Sequence, residues 1–143
     1  MGHSPAVEQV SQTPAMPAPP PTICIVDDDP AIRRALRRLL VVAGFRVELF
    51  PSAEEFLSGK PAACDCLVLD VRMPGMSGLC LQECLARSNG RLPIVFITAH
   101  DDDVTRTRAM AGGAVALLRK PFEDRALLDA IATAVASRNP PGD

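Results

Sequence analysis

The chain has 143 residues, 48% hydrophobic and 22% charged, which suits one soluble globular domain with a buried core. Fifteen Lys and Arg against seventeen Asp and Glu leave a formal charge of -2, so no broad positive field recruits nucleic acid or anionic lipid. With no Trp or Tyr and only five Phe there is no platform for stacking bases.

Residues 1–21 hold six of the 14 prolines and no apolar period, which predicts a flexible leader. Ile23 to Val26 is a short β-type run that stops at Asp27, Asp28 and Asp29. Pro30 suits a first helical turn, and Ile32, Ala35, Leu36, Leu39, Leu40 and Ala43 follow at helical spacing. Arg33, Arg34, Arg37 and Arg38 fall on the opposite face, and Gly44 closes the helix. Phe45, Val47 and Leu49 alternate with charged residues, as in a strand near a sheet edge. Ser52 and Glu55 form a capping box for a second helix around Phe56 and Leu57.

Cys66 to Leu69 is a second apolar run, ending at the carboxylate of Asp70. A loop from Val71 to Gly78 leads to a third helix through Leu79, Leu81, Cys84 and Leu85. Ile94 to Ile97 ends at Thr98, and a fourth helix is predicted over Asp101 to Ala111, its acids suiting a helix N-terminus. Ala114 to Leu118 reads as the fifth strand, terminated by Lys120-Pro121. A last amphipathic helix presents Leu127, Leu128, Ile131 and Val135, and residues 139–143 form a tail. Wholly apolar strands imply burial on both faces. The prediction is therefore a single-domain α/β fold over residues 22–138, a five-stranded parallel sheet doubly wound by helices.

The longest apolar stretches, such as Leu39 to Ala43, are too short to cross a bilayer, and nothing resembles a signal peptide. The expected location is the cytoplasm. Five cysteines lack the spacing of a zinc site and read as buried, reduced thiols acting as small apolar residues.

In an open parallel sheet, functional groups gather beyond the carboxyl ends of the strands. Asp27, Asp28 and Asp29, then Asp70, Thr98 and Lys120, stand at four such ends. Each alone is also what a helix cap, a loop or a solvated surface provides. Together, clustered carboxylates need a cation to remain ionised, and hard oxygen ligands favour Mg²⁺. A metal, a hydroxyl and an ammonium around one carboxylate suit the acceptance of a phosphoryl group.

Ile25-Val26-Asp27-Asp28-Asp29-Pro30, Leu67-Val68-Leu69-Asp70, Met73-Pro74-Gly75-Met76-Ser77-Gly78, Ile97-Thr98-Ala99 and Lys120-Pro121-Phe122 occur in that order. Over Thr22 to Arg138 the chain resembles the receiver domain of two-component response regulators, which has the CheY-like, flavodoxin-like (βα)5 fold. Ile97-Thr98-Ala99-His100 and Lys120-Pro121-Phe122-Glu123-Asp124 are similar to the nitrogen-fixation and nodulation regulator subgroup. That subgroup usually carries a helix-turn-helix output domain, which this chain is expected to lack; a stand-alone regulator is the alternative.

The resemblance implies that Asp70 takes phosphate from a histidine kinase phosphohistidine. It implies Mg²⁺ held by Asp28, Asp70 and the backbone carbonyl of Arg72, with Asp27 in support. The triple acid run leaves one residue of ambiguity; because the strand ends at Val26, Asp27 and Asp28 are preferred to Asp29. Thr98 would bond a phosphoryl oxygen, Lys120 would pair with the phosphate, and the Lys120-Pro121 bond is commonly cis in the family. Arg72 and His100 fill variable flanking positions that tune loss of the phosphate. Implied partners are a sensor histidine kinase and a second copy through the fourth helix and fifth strand. The arginine stripe reads first as a solvated face and second as a kinase-docking face.

One position departs from the family. The residue three before the lysine is usually Tyr or Phe, whereas here it is Leu117, which puts the usual readout in doubt. Two rivals use related architectures. A flavodoxin-like redox protein wants a phosphate loop where this chain has acids. A haloacid-dehalogenase-like phosphatase wants a second Asp two residues after the first, where this chain has Arg72.

Overall fold

A computed structural model describes residues 19–59, 61, 63–88 and 91–138. The leader expected over 1–21 lies outside the described residues except for Pro19, Pro20 and Pro21, and the tail at 139–143 lies wholly outside them. Strands and helices alternate: β1 (Thr22–Val26), α1 (Pro30–Val42), β2 (Arg46–Phe50), α2 (Ala53–Gly59), β3 (Cys66–Asp70), α3 (Gly78–Arg87), β4 (Ile94–Thr98), α4 (Asp103–Ala111), β5 (Ala116–Arg119) and α5 (Asp124–Arg138). All strand pairings are parallel, in the order β2-β1-β3-β4-β5. The expected doubly wound sheet is the one found.

The alternation of side chains along each strand divides the core in two. Cys24, Val26, Leu67, Leu69 and Phe96 face one way and pack with Ala53 and Phe56 of α2, Leu79 and Leu81 of α3, and Ala109 of α4. Ile23, Ile25, Val68, Val95 and Ile97 face the other way and pack with Leu36 and Leu40 of α1 and Leu127 and Ile131 of α5. Every residue of β1, β3 and β4 is buried, which explains why these strands lack polar alternation. The edge strand β2 is partly exposed and keeps it.

Local chemistry sets the helix ends. Asp29 accepts the Ala31 N–H at 2.9 Å and caps α1, with Pro30 next; Gly44 then turns the chain at φ 101°. The Ser52 hydroxyl accepts the Glu55 N–H at 3.0 Å at the start of α2, as the capping box requires. Ser77 caps α3 through the Cys80 N–H at 3.1 Å.

Three details differ from the sequence reading. Strand β5 begins at Ala116 rather than Ala114, because the N–H groups of Gly112, Gly113 and Ala114 still bond back to α4 and the first bond to β4 is that of the Val115 N–H to the Ile94 carbonyl. Helix α4 begins at Asp103, since Asp102 is its extended N-cap, bonded to the Thr105 N–H at 2.8 Å. Of the five thiols only Cys24 and Cys66 are buried, while Cys64 and Cys84 are half-buried and Cys80 is exposed. Burial pushes the Cys66 thiol up to about 12, so it is an inert apolar filler.

Helix α3 starts hard against the strand that carries Asp70. A Cβ added at Gly78 would lie 2.2 Å from the Asp70 carbonyl oxygen and 3.1 Å from the Val71 Cα. Both are backbone atoms, so no rotamer change relieves the overlap. Gly78→Ala is expected to cost about 2–3 kcal/mol, read as a lower urea midpoint. An unchanged midpoint would show that the helix can pull back freely.

Candidate functional site

Parallel register brings the strand ends level. Val26 pairs with Leu69, Asp70 with Ile97, and Thr98 with Arg119. Asp27, Asp70, Thr98 and Lys120 therefore share the carboxyl edge of the sheet, although 93 residues separate the first from the last. Carboxylate oxygens of Asp27, Asp28 and Asp70 lie within 4.8 Å of one another. These are the acids that the sequence brings forward. The Asp29 side chain instead caps α1.

Each acid has a different environment. Asp27 is fully buried, and its two oxygens are both occupied. Oδ1 accepts the Asp29 N–H at 2.9 Å and Oδ2 accepts from Lys120 Nζ at 2.8 Å. Asp28 is exposed. Asp70 is 5% exposed and stands 3.5 Å from Lys120 Nζ. Burial, joined by the charge of Asp27, pushes the Asp70 carboxyl up to about 6, against the pull of Lys120. Burial alone would depress the Lys120 ammonium, but its bond to Asp27 and the charges of Asp70 and Asp27 hold it above its ordinary value. Lys120 thus balances one of three negative charges. The remaining anionic oxygens fit a hard divalent cation such as Mg²⁺.

The other expected residues line the same edge. The Lys120-Pro121 peptide bond is cis, and the Lys120 N–H donates to the Thr98 carbonyl at 2.7 Å. The buried Thr98 hydroxyl donates to the His100 carbonyl at 3.1 Å and accepts the His100 N–H at 3.0 Å. Arg72, two residues past Asp70, reaches the Asp102 carboxylate at 3.6 Å. Leu117 is buried beside Phe96 and Ala109, and its carbonyl lies 3.4 Å from Arg106 Nη2.

Several contacts had no distinct sequence signal. Arg33 is not merely part of a solvated stripe: its Nη1 donates to the Asp27 carbonyl at 2.6 Å. Its place within the helical turn after the acids was the available clue. Arg106 grips Asp101 through both its Nε and its Nη2, which fastens the loop after Thr98 to α4. Buried Gln82 of α3 donates to the Ala109 carbonyl of α4 at 3.0 Å. Glu54 of α2 accepts the Met76 N–H at 2.9 Å.

The raised Asp70 value makes metal-free stability depend on pH. Native Asp70 titrates near 6 and the unfolded group near 3.8, so between those values the native state binds the extra proton. Stability then falls as pH rises through that window. Asp70→Asn, which removes the charge, is expected to raise metal-free stability at pH 7.5 by about 1–2 kcal/mol, allowing for the solvent-facing side of the crevice. It should have little effect at pH 4. Urea midpoints at both pH values test this, and equal effects at both would show that charge is not the cause.

Comparison with known proteins agrees with this geometry. Residues 23–132 match the response regulator receiver domain. Nodulation protein W of Bradyrhizobium diazoefficiens is 50% identical over 113 residues, which is 78% of this chain and 50% of that protein. The solved structure of the response regulator StyR is 51% identical with a TM-score of 0.78, over 83% of this chain and 61% of that one. The FixJ-N crystal structure is 40% identical with a TM-score of 0.74, over 80% of this chain and 93% of that one. The chain spans about half the length of the curated relatives it matches. By the family match and the shared fold, this chain belongs to the response regulator receiver domains of two-component systems.

Proposed function

We propose that the domain accepts a phosphoryl group on Asp70 from the phosphohistidine of a sensor histidine kinase and thereby changes a partner-binding surface. The observation that carries this reading is the placement of Asp70 between Lys120 at 3.5 Å and two further carboxylates that share its oxygen cluster. In the transfer an Asp70 oxygen attacks phosphorus, an O–P bond forms, and the N–P bond to the donor imidazole breaks. Lys120, released from part of its pairing with Asp27, then offsets charge on the phosphoryl oxygens. Asp28, Asp70 and the Arg72 carbonyl would hold Mg²⁺, with Asp27 supporting them; the bound ion supplies charge neutralisation at the phosphoryl oxygens. Hydrolysis of the domain's own acyl phosphate is the one turnover this reading includes.

The flavin rival is disfavoured by the same cluster, since three acids at the end of β1 and β3 repel a phosphate-bearing cofactor. The phosphatase rival is disfavoured by Arg72, a cation engaged with Asp102 where that chemistry wants a proton-transferring acid. The related FixJ is named a transcriptional regulatory protein. By extension, the output proposed here is control of transcription through a separate segment, acting in the cytoplasm. Among the described residues no helix is long and apolar enough to cross a membrane. Pairing of two copies through α4 and β5 belongs to the same proposal.

The readout follows from Thr98. A hydroxyl has one proton to donate, and here the His100 carbonyl receives it. Donation to a phosphoryl oxygen on Asp70 would free that carbonyl and loosen the loop that Asp101 and Arg106 fasten to α4. Two measurements test the scheme with acetyl phosphate or beryllofluoride as the probe. With Mg²⁺ and acetyl phosphate, intact mass should show one added phosphoryl group on wild type and none on Asp70→Asn. With Mg²⁺ and beryllofluoride, amide shifts at His100, Arg106 and Leu117 should appear in wild type and shrink at least about threefold in Thr98→Ala, since one hydrogen bond to a charged group is lost. Labelling of the Asn variant at the wild-type level would overturn the assignment of Asp70.

A further inference from the structure

We propose that Glu54 is a positioning residue for the phosphoryl-transfer site, pinning the loop that carries the Arg72 main chain from its outer side. The inference rests on the reading of Asp70 and its divalent ion given above. Glu54 sits in the first turn of α2, outside the acid cluster, and 22 residues before its partner. Its Oε2 accepts the Met76 N–H at 2.9 Å. The same oxygen lies 2.6 Å from where a Cβ of Gly75 would stand. The carboxylate is therefore seated directly against the Gly75–Met76 peptide, a contact that a side chain at position 75 would block. Gly75 adopts φ +77°, the left-handed turn that aims the next N–H at α2. Binding to that N–H holds the Glu54 carboxyl below the usual carboxylate range.

The loop from Val71 to Gly78 is tied at its far end by the Gly78 N–H to the Val71 carbonyl, at 2.8 Å. Among the described residues, the Glu54 contact is the one hydrogen bond that ties Met73–Met76 to the rest of the fold. Met73 and Met76 also pack on the core beneath them. Apolar contact keeps the loop close but does not set its rotation, because dispersion is non-directional. A charge-assisted hydrogen bond to one peptide does set it. Arg72 lies three residues before the pinned Gly75–Met76 peptide, so a rotation of the loop that this bond resists would also turn the Arg72 carbonyl. Groups that orient metal ligands without touching the ion commonly govern affinity.

The experiment separates reach from charge. Glu54→Gln keeps the length and an acceptor oxygen; Glu54→Asp keeps the charge but is one methylene too short; Glu54→Ala has neither. Mg²⁺ is titrated into the 143-residue chain and each of its variants and followed by amide shifts at the site, with hydrogen exchange at Met76 measured in parallel. The expected result is a Mg²⁺ dissociation constant weakened about 3–10-fold in the Ala and Asp variants and within about twofold of wild type in Gln. Met76 exchange should quicken in the first two only, with urea midpoints close to wild type, because the side chain is exposed. Wild-type Mg²⁺ affinity in the Ala and Asp variants despite fast Met76 exchange would overturn the inference. So would an Asp variant that binds normally beside a weakened Gln, since that pattern is charge without position. If wild type and Asp70→Asn respond to Mg²⁺ alike, the reading of the site itself fails, which is a different result from either of these.

Discussion

Mutual repulsion of three carboxylates at one end of a parallel sheet is the constraint on which the rest of the structure depends. Side by side, β1 and β3 must place Asp27 and Asp70 next to each other, because their registers end level. Neither acid can retreat, since the residues behind them are the two faces of the core. Buried Asp27 is tolerated because all its acceptors are taken, the carboxylate by Asp29 and Lys120 and the carbonyl by Arg33. Lys120 is itself delivered by the neighbouring strands, through its N–H on the Thr98 carbonyl. What remains is Asp70, raised toward 6 by its burial first and then by the charge of Asp27, which the single ammonium of Lys120 does not offset. Lower stability without metal and the proposed affinity for a divalent ion would then be two expressions of the same unbalanced charge.

Where sequence order and chemistry coincide, the fold was readable. Fully apolar runs became buried strands, and each chemistry-bearing residue at the end of a run reached the same edge because parallel pairing aligns strand ends. The apolar run from Ala114 misplaced the start of β5, since Ala114 is buried in the turn after α4 as thoroughly as a strand residue would be. Hydrophobicity reports burial, and it did not report hydrogen bonding there. Arg33, Glu54, Gln82 and Arg106 were invisible in their roles for a related reason. Each is a polar residue on a helix, and its partner is a main-chain group or an acid contributed by another segment. Helical period separates inward from outward positions but carries nothing about which carbonyl or N–H arrives from a neighbouring loop. Cys80 was assigned by residue type to the interior, whereas the periodicity of α3 places it outside.

Leu117 shows how the same fold accommodates a missing aromatic side chain. A flat ring at that place would move as a unit and expose or bury a hydroxyl or edge. Leucine here is simply core, packed under α4 with Phe96 and Ala109. The connection between Thr98 and β5 instead runs through main chain and charge: Thr98 to His100, Asp101 to Arg106, and Arg106 to the Leu117 carbonyl. Such a path does not depend on the size of the side chain at 117. It depends on the single proton of the Thr98 hydroxyl, which cannot serve the His100 carbonyl and a new oxyanion together. Valence, rather than ring geometry, would then couple events at Asp70 to the α4 surface, and substitution at Leu117 is compatible with a working switch on that account.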